Sequence, residues 1–187
     1  MTLVLGALTN DYAILGADRR ILVGPSLEGP FTPGEAGKLF EVGGCSVASF
    51  GRSPQGVGVP DLVRGFIGHL REPRALGYAL VESIRGLPDR GNFGLLVAGS
   101  GAQQPELWEV TKGAQACLKL RTGVLHERED GVGSDGEALM PDAEQQMARL
   151  LEILRLGSLR HSSSVGPPFD ISLLRFGREP IGRQHPF

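Results

Sequence analysis

The chain has 187 residues, 41% of them hydrophobic, and a formal net charge of −2. That is enough for one sizeable core and short for two, so a single domain over 1–187 is expected. Its basic residues are dispersed, which argues against a surface that follows nucleic-acid phosphates. No apolar stretch approaches a membrane span, and the N-terminus lacks the basic-then-apolar order of a secretory leader. The expectation is a cytoplasmic protein without nucleic-acid or membrane partners.

Residues 2–9 (TLVLGALT) and 12–17 (YAILGA) are short apolar runs joined by Asn10-Asp11, which predicts a hairpin. Nearly every position in both runs is apolar, so both faces of this sheet should be covered. Residues 24–37 (GPSLEGPFTPGEAG) have no periodicity and are expected to form a loop. A second hairpin is predicted from 38–42 (KLFEV) and 45–50 (CSVASF), with Gly43-Gly44 as its turn. Helical periodicity follows at 59–71, where Leu62, Val63, Phe66, Ile67 and Leu70 share a face, and again at 73–85 behind Pro73. Strands are predicted at 93–98, 107–110 and 116–120, a helix at about 142–156, and a closing strand at 169–176. Strands, helices, strands, helix, strand is an α+β order. Two stacked sheets with helices outside satisfy it.

Cys45 and Cys117 each stand alone in apolar surroundings and read as small buried hydrophobes. His69, His126, His161 and His185 lie far apart, and no ligand-spacing pattern joins them. No metal or other cofactor is implied.

Thr2 directly follows the initiator methionine, and a small second residue favours methionine removal. The exposed threonine would then carry a hydroxyl and a free α-amine on one residue. An α-amine titrates at roughly 8, so near neutrality a good fraction can accept the hydroxyl proton. Asp18 ends the second predicted strand and Lys38, one of only three lysines, begins the third. If the two hairpins lie side by side, both reach the strand end that carries Thr2. The lysine would then keep the amine neutral by charge repulsion while the aspartate holds the lysine. A plain surface ion pair is the competing reading. Gly51, beyond the fourth strand, can offer its backbone N–H to an oxyanion; otherwise it is a turn glycine.

Thr2 opening a strand, Ala17-Asp18-x-Arg20, Lys38 before an apolar strand, Gly51, and Gly133-Ser134 resemble a proteasome β subunit in that order. The segment 159–170 (LRHSSSVGPPFD) is closer to the bacterial Anbu branch, the ancestral β subunit. The resemblance implies a four-layer αββα sandwich and a threonine peptidase in which Thr2 attacks, Asp18 and Lys38 tune it, and Gly51 donates to the oxyanion. Ser134 and Ser164 match serines that hydrogen-bond near the threonine amine. It also implies homo-oligomers, as a ring or spiral, that act on peptides or unfolded chains, with an unidentified ATPase as a possible feeder. Two positions depart from the pattern: His161 stands where proteasomes carry an aspartate, and Asp18-Arg19-Arg20 replaces Asp-Ser-Arg.

Other readings have less support. Residues 131–136 (GVGSDG) match a dinucleotide-binding loop, but the charged 126–130 (HERED) supplies no apolar strand to feed it, so a glycine-rich turn into the next helix suffices. Glu106, Trp108 and Glu109 could suggest a carbohydrate site, although one aromatic among strand residues more often packs in the core. A non-catalytic assembly subunit of the same fold is the second functional reading, motivated by His161.

Overall fold

A computed structural model describes residues 2–23, 32–51, 62, 70–87, 92–129, 132–161, 165–176 and 181–185. The helix predicted at 59–71 falls largely outside them, as does most of the loop at 24–37.

The elements are β1 (Leu3–Leu8), β2 (Tyr12–Asp18), β3 (Arg20–Val23), β4 (Thr32–Glu35), β5 (Leu39–Val42), β6 (Cys45–Gly51), α1 (Pro73–Arg85), β7 (Phe93–Ser100), β8 (Pro105–Thr111), β9 (Leu118–Lys119), β10 (Val124–Glu129), β11 (Val132–Ala138), α2 (Ala143–Arg160), β12 (Phe169–Arg175) and β13 (Ile181–His185). They form a six-stranded sheet in the order β11-β10-β1-β2-β12-β13, a five-stranded sheet β5-β6-β7-β8-β9, and a small β3-β4 pair. All pairings are antiparallel.

Both predicted hairpins form. Every residue of β1 and β2 is buried, as their uninterrupted apolar runs require. Val4, Leu8, Leu15 and Ala17 meet Ala48, Phe50, Leu96 and Leu107 between the two large sheets. On the other side of the first sheet, Leu5, Ile14 and Ile171 pack with Met147, Leu150 and Leu154 of α2. On the outer face of the second sheet, Val47, Leu95 and Val110 pack with Leu76, Leu80 and Ile84 of α1. Each such fully buried leucine or isoleucine contributes roughly 1.5–3 kcal/mol before the entropy of ordering is counted.

Local signals set the helix starts. Pro73 opens α1, where the missing N–H leaves no bond unmade. Asp142 caps α2 by accepting from the Gln145 N–H at 2.8 Å, typically worth about 1 kcal/mol. This helix continues to Arg160, four residues past its predicted end.

Five of the strands, β3, β4, β10, β11 and β13, differ from expectation. Thr32–Glu35 of the predicted loop pairs with Arg20–Val23, and β13 adds an edge to β12. Residues 124–129 and 132–138 form β10 and β11, so the segment read as a charged run with a glycine turn into the helix is a hairpin on β1. Its arginine is paired: Arg128 Nε and Nη2 donate to the two Glu109 carboxylate oxygens across the sheets at 2.8 and 2.7 Å, and Nη1 donates to Asp135 at 3.0 Å. His126, fully buried, lies 2.9 Å from Asp135 through Nδ1. Extended backbone over 132–136 also removes the strand-to-helix turn that a dinucleotide loop needs. Trp108 packs in the outer core under α1 while its indole N–H donates to Glu106 at 2.9 Å, which accounts for both groups without a sugar.

A neutral polar contact also crosses the core. The Ser46 and Ser172 hydroxyl oxygens lie 2.6 Å apart, both buried, and join the second sheet to the first. Ser46→Ala is expected to cost about 1–3 kcal/mol because it strands the Ser172 hydroxyl. The Ser46→Ala/Ser172→Ala double variant should cost less than the sum of the singles, which a urea-denaturation double-mutant cycle would measure.

Both cysteines are free and buried. Burial pushes the Cys45 thiol up to about 12, and it also raises Cys117. The thiolate is the reactive form, so neither residue should take up iodoacetamide in the folded protein, and both should react once denaturant is added, as counted by intact mass.

Candidate functional site

β1 and β2 run antiparallel with Val4 opposite Ala17, which brings the start of one strand beside the end of the other. Thr2 and Asp18 therefore share one end of the first sheet. Both are buried, Thr2 at 8% exposure and Asp18 at 0%. The second hairpin places Lys38 at the matching end of the other sheet, where its carbonyl accepts from the Ser49 N–H at 2.8 Å.

Lys38 crosses between the sheets to Asp18. Its ammonium donates to both carboxylate oxygens, at 2.9 and 2.8 Å, and to the Arg20 carbonyl at 2.6 Å. Asp18 Oδ1 also accepts the backbone N–H of Leu3 at 2.9 Å. The ion pair thus grips the peptide that joins Leu3 to Thr2. Burial pushes the Asp18 carboxyl above its ordinary value, against the pull of the Lys38 ammonium and the Leu3 N–H. A surface pair would show no such desolvation, so the surface-pair reading does not hold.

Gly51 closes β6 two residues beyond Ser49, at the same sheet end. It adopts φ +76°, and a Cβ there would collide with the Asn92 carbonyl oxygen. Only glycine combines that backbone with that contact.

The segment after α2 closes the other flank. Arg19 donates its backbone N–H to the Pro168 carbonyl at 3.1 Å and reaches Asp170 at 3.4 Å. The Arg20 guanidinium lies against Gly166, where a Cβ would come within 2.6 Å of Cζ.

Thr2, Asp18, Lys38 and Gly51 are therefore gathered at one end of the stacked sheets. Ser134 is not gathered with them. It lies exposed on β11 opposite Glu127, which is opposite Leu5, two strands across from β1 and three residues down it. At about 4.8 Å per strand and 3.4 Å per residue, that is well over a hydrogen bond's reach from Thr2. The expectation that Ser134 sits before a helix near the amine is corrected by the formation of β11. Ser164 lies outside the described residues. Sequence reading missed the two backbone groups that complete the site, the Leu3 N–H and the Arg20 carbonyl, because no side chain advertises them.

Among the described residues no cluster of His, Cys, Asp and Glu could hold a metal, and no helix is long and apolar enough to cross a membrane.

No family model matches the chain, and no curated protein matches it in sequence. Solved structures do match. Over 100% of this chain and 88% of the other, it superposes with a TM-score of 0.69 at 13% identity on the Anbu (Gly-1) mutant from Hyphomicrobium sp. strain MC1. Anbu (ancestral beta-subunit) from Yersinia bercovieri gives a TM-score of 0.70 at 15% identity, over 100% and 87%. The chain has the fold of these proteins.

Proposed function

We propose that this chain, folded like the Anbu proteins, is a threonine-type N-terminal-nucleophile hydrolase with an αββα architecture, cleaving peptide or amide bonds through Thr2 after Met1 is removed. The observation that carries the reading is the buried Asp18–Lys38 pair bound to the Leu3 N–H, one residue from the threonine. A buried cation at that place disfavours the ammonium form of the Thr2 amine and leaves it free to act as a base.

In the reaction the Thr2 Oγ attacks the substrate carbonyl while its proton passes to the α-amine. Charge collects on the carbonyl oxygen, where the Gly51 N–H is the proposed donor. The carbon–nitrogen bond then breaks, the ammonium returns the proton to the leaving amine, and an ester to Thr2 remains. Water, deprotonated by the same amine, releases the acid. Homo-oligomers in the cytoplasm acting on peptides or unfolded chains fit this reading.

Intact mass spectrometry with a peptide epoxyketone, which needs both the hydroxyl and the free amine, tests it. Loss of Met1 and one adduct mapped to Thr2 are expected; a chain that lacks Met1 and takes no adduct would sink the proposal. That result would favour the second reading, a non-catalytic assembly subunit, for which His161 in place of the usual aspartate is the supporting feature.

A further inference from the structure

Leu3, the residue after the proposed nucleophile, has an acidic residue on each neighbouring strand. On β2 the Asp18 carboxylate holds its N–H; on β10 its Cα partner is Glu129. Each carboxylate faces a nitrogen-bearing side chain. Asp18 meets Lys38, and Glu129 Oε1 lies 3.3 Å from His161 Nε2.

The end of α2 delivers His161 to this place. Gly157 sits against the Leu3 side chain so closely that a Cβ would come within 2.5 Å of Leu3 Cδ2. One turn later His161 caps the helix, donating its N–H to the Gly157 carbonyl at 2.9 Å. Absence of a side chain at 157 lets the helix end descend onto β1, and the imidazole then reaches over to β10. The two pairs differ in their contact with water. The Lys38 and Asp18 side chains are 6% and 0% exposed, whereas those of His161 and Glu129 are 38% and 34% exposed.

We propose that Glu129 and His161 are positioning residues that set the basicity of the Thr2 amine from the strand opposite Asp18 and Lys38. This rests on the reading of Thr2 as the nucleophile. The amine has to be neutral to take the hydroxyl proton, then has to hold it as ammonium until the leaving nitrogen collects it. Lys38 favours the first state by repulsion. The Glu129 carboxylate favours the second by attraction, and His161 tempers that attraction. Glu127 of β10, Glu137 of β11 and Arg160 of α2 act on the same region. Burial, with repulsion from Glu129 and Glu137, holds the Glu127 carboxyl above its usual range against the pull of Arg160.

The test is the pH dependence of epoxyketone addition to Thr2, followed by intact mass in the full-length protein with thermal melting alongside. Glu129→Gln is expected to move the acid limb of the rate profile to lower pH by about half a unit, and His161→Asp to move it a similar distance to higher pH. His161→Arg keeps the pair with a permanent cation, so it should also move the limb to lower pH, and it replaces Glu129→Gln if that variant does not fold. A purely structural role lowers the rate and leaves the limb where it was. Limbs that do not move, or that move the same way for Glu129→Gln and His161→Asp, overturn the assignment while leaving Thr2 as nucleophile. No adduct at Thr2 in the parent at any pH overturns both.

Discussion

Thr2→Ala is expected to melt close to the parent, to take no epoxyketone adduct, and to lose at least about a thousandfold in turnover of peptide or amide substrates. The site explains the size of the effect. Asp18, Lys38 and the Leu3 N–H are bonded to one another without the threonine side chain, so the fold at this sheet end survives while the attacking oxygen is gone. Thr2→Ser keeps both hydroxyl and amine and should still form the adduct at a reduced rate. Full retention of hydrolysis by the alanine variant would end the nucleophile assignment.

Asp18→Ala should be the most damaging single change to stability at the site, by about 3–5 kcal/mol, because it leaves the Lys38 ammonium buried without its counter-charge. For a domain of this size that is a fall of roughly 10 °C in the melting midpoint. An Asp18→Ala/Lys38→Met double variant removes the stranded charge and should recover much of the loss while remaining inactive. The pH dependence follows from the same burial. Since desolvation raises the Asp18 carboxyl above its ordinary value despite Lys38, the folded protein holds a proton where the unfolded chain has released it. The contribution of this group is therefore fully present below the ordinary aspartate range and lost as pH rises through the folded-state value. Urea denaturation of the parent and of Asp18→Asn across that window would show the slope in the parent alone.

Much of this was legible in the chain. TLVLGALT and YAILGA, apolar at every second position and in between, can only be strands covered on both faces, and they are. Gly43-Gly44, with φ of +60° and +85°, makes the turn that its composition announces. Pro73 and Asp142 mark their helix starts within a residue. Hairpin logic brought Asp18 and Lys38 toward Thr2 on the condition that the two hairpins lie side by side; the structure brings them together by stacking one sheet on the other.

The β10–β11 hairpin was not legible, and the reason is physical. HERED reads as solvated because periodicity counts a buried charge as polar, yet His126 and Arg128 are buried on a strand whose partners come from elsewhere: Glu109 on the other sheet and Asp135 on the next strand. A residue's own type cannot reveal a counter-charge contributed by a distant segment. The same blindness misplaced Ser134 and hid Glu129, since neither has a position relative to Thr2 until β10 pairs with β1.

By itself the sequence determined the α+β order, the doubly covered first hairpin and the helix starts, because short-range periodicity, turn residues and caps act within a few positions of their cause. The meeting of Asp18 and Lys38 at Thr2 followed only on the condition that the two hairpins are neighbours. Only the tertiary structure decided that the Asp18–Lys38 pair is buried, that Leu3 N–H and the Arg20 carbonyl complete it, and that Glu129 and His161 stand on the opposite side of β1. Those properties depend on which distant strands become neighbours, and the exclusion of water that gives the charges their strength exists only after the sheets have closed on each other.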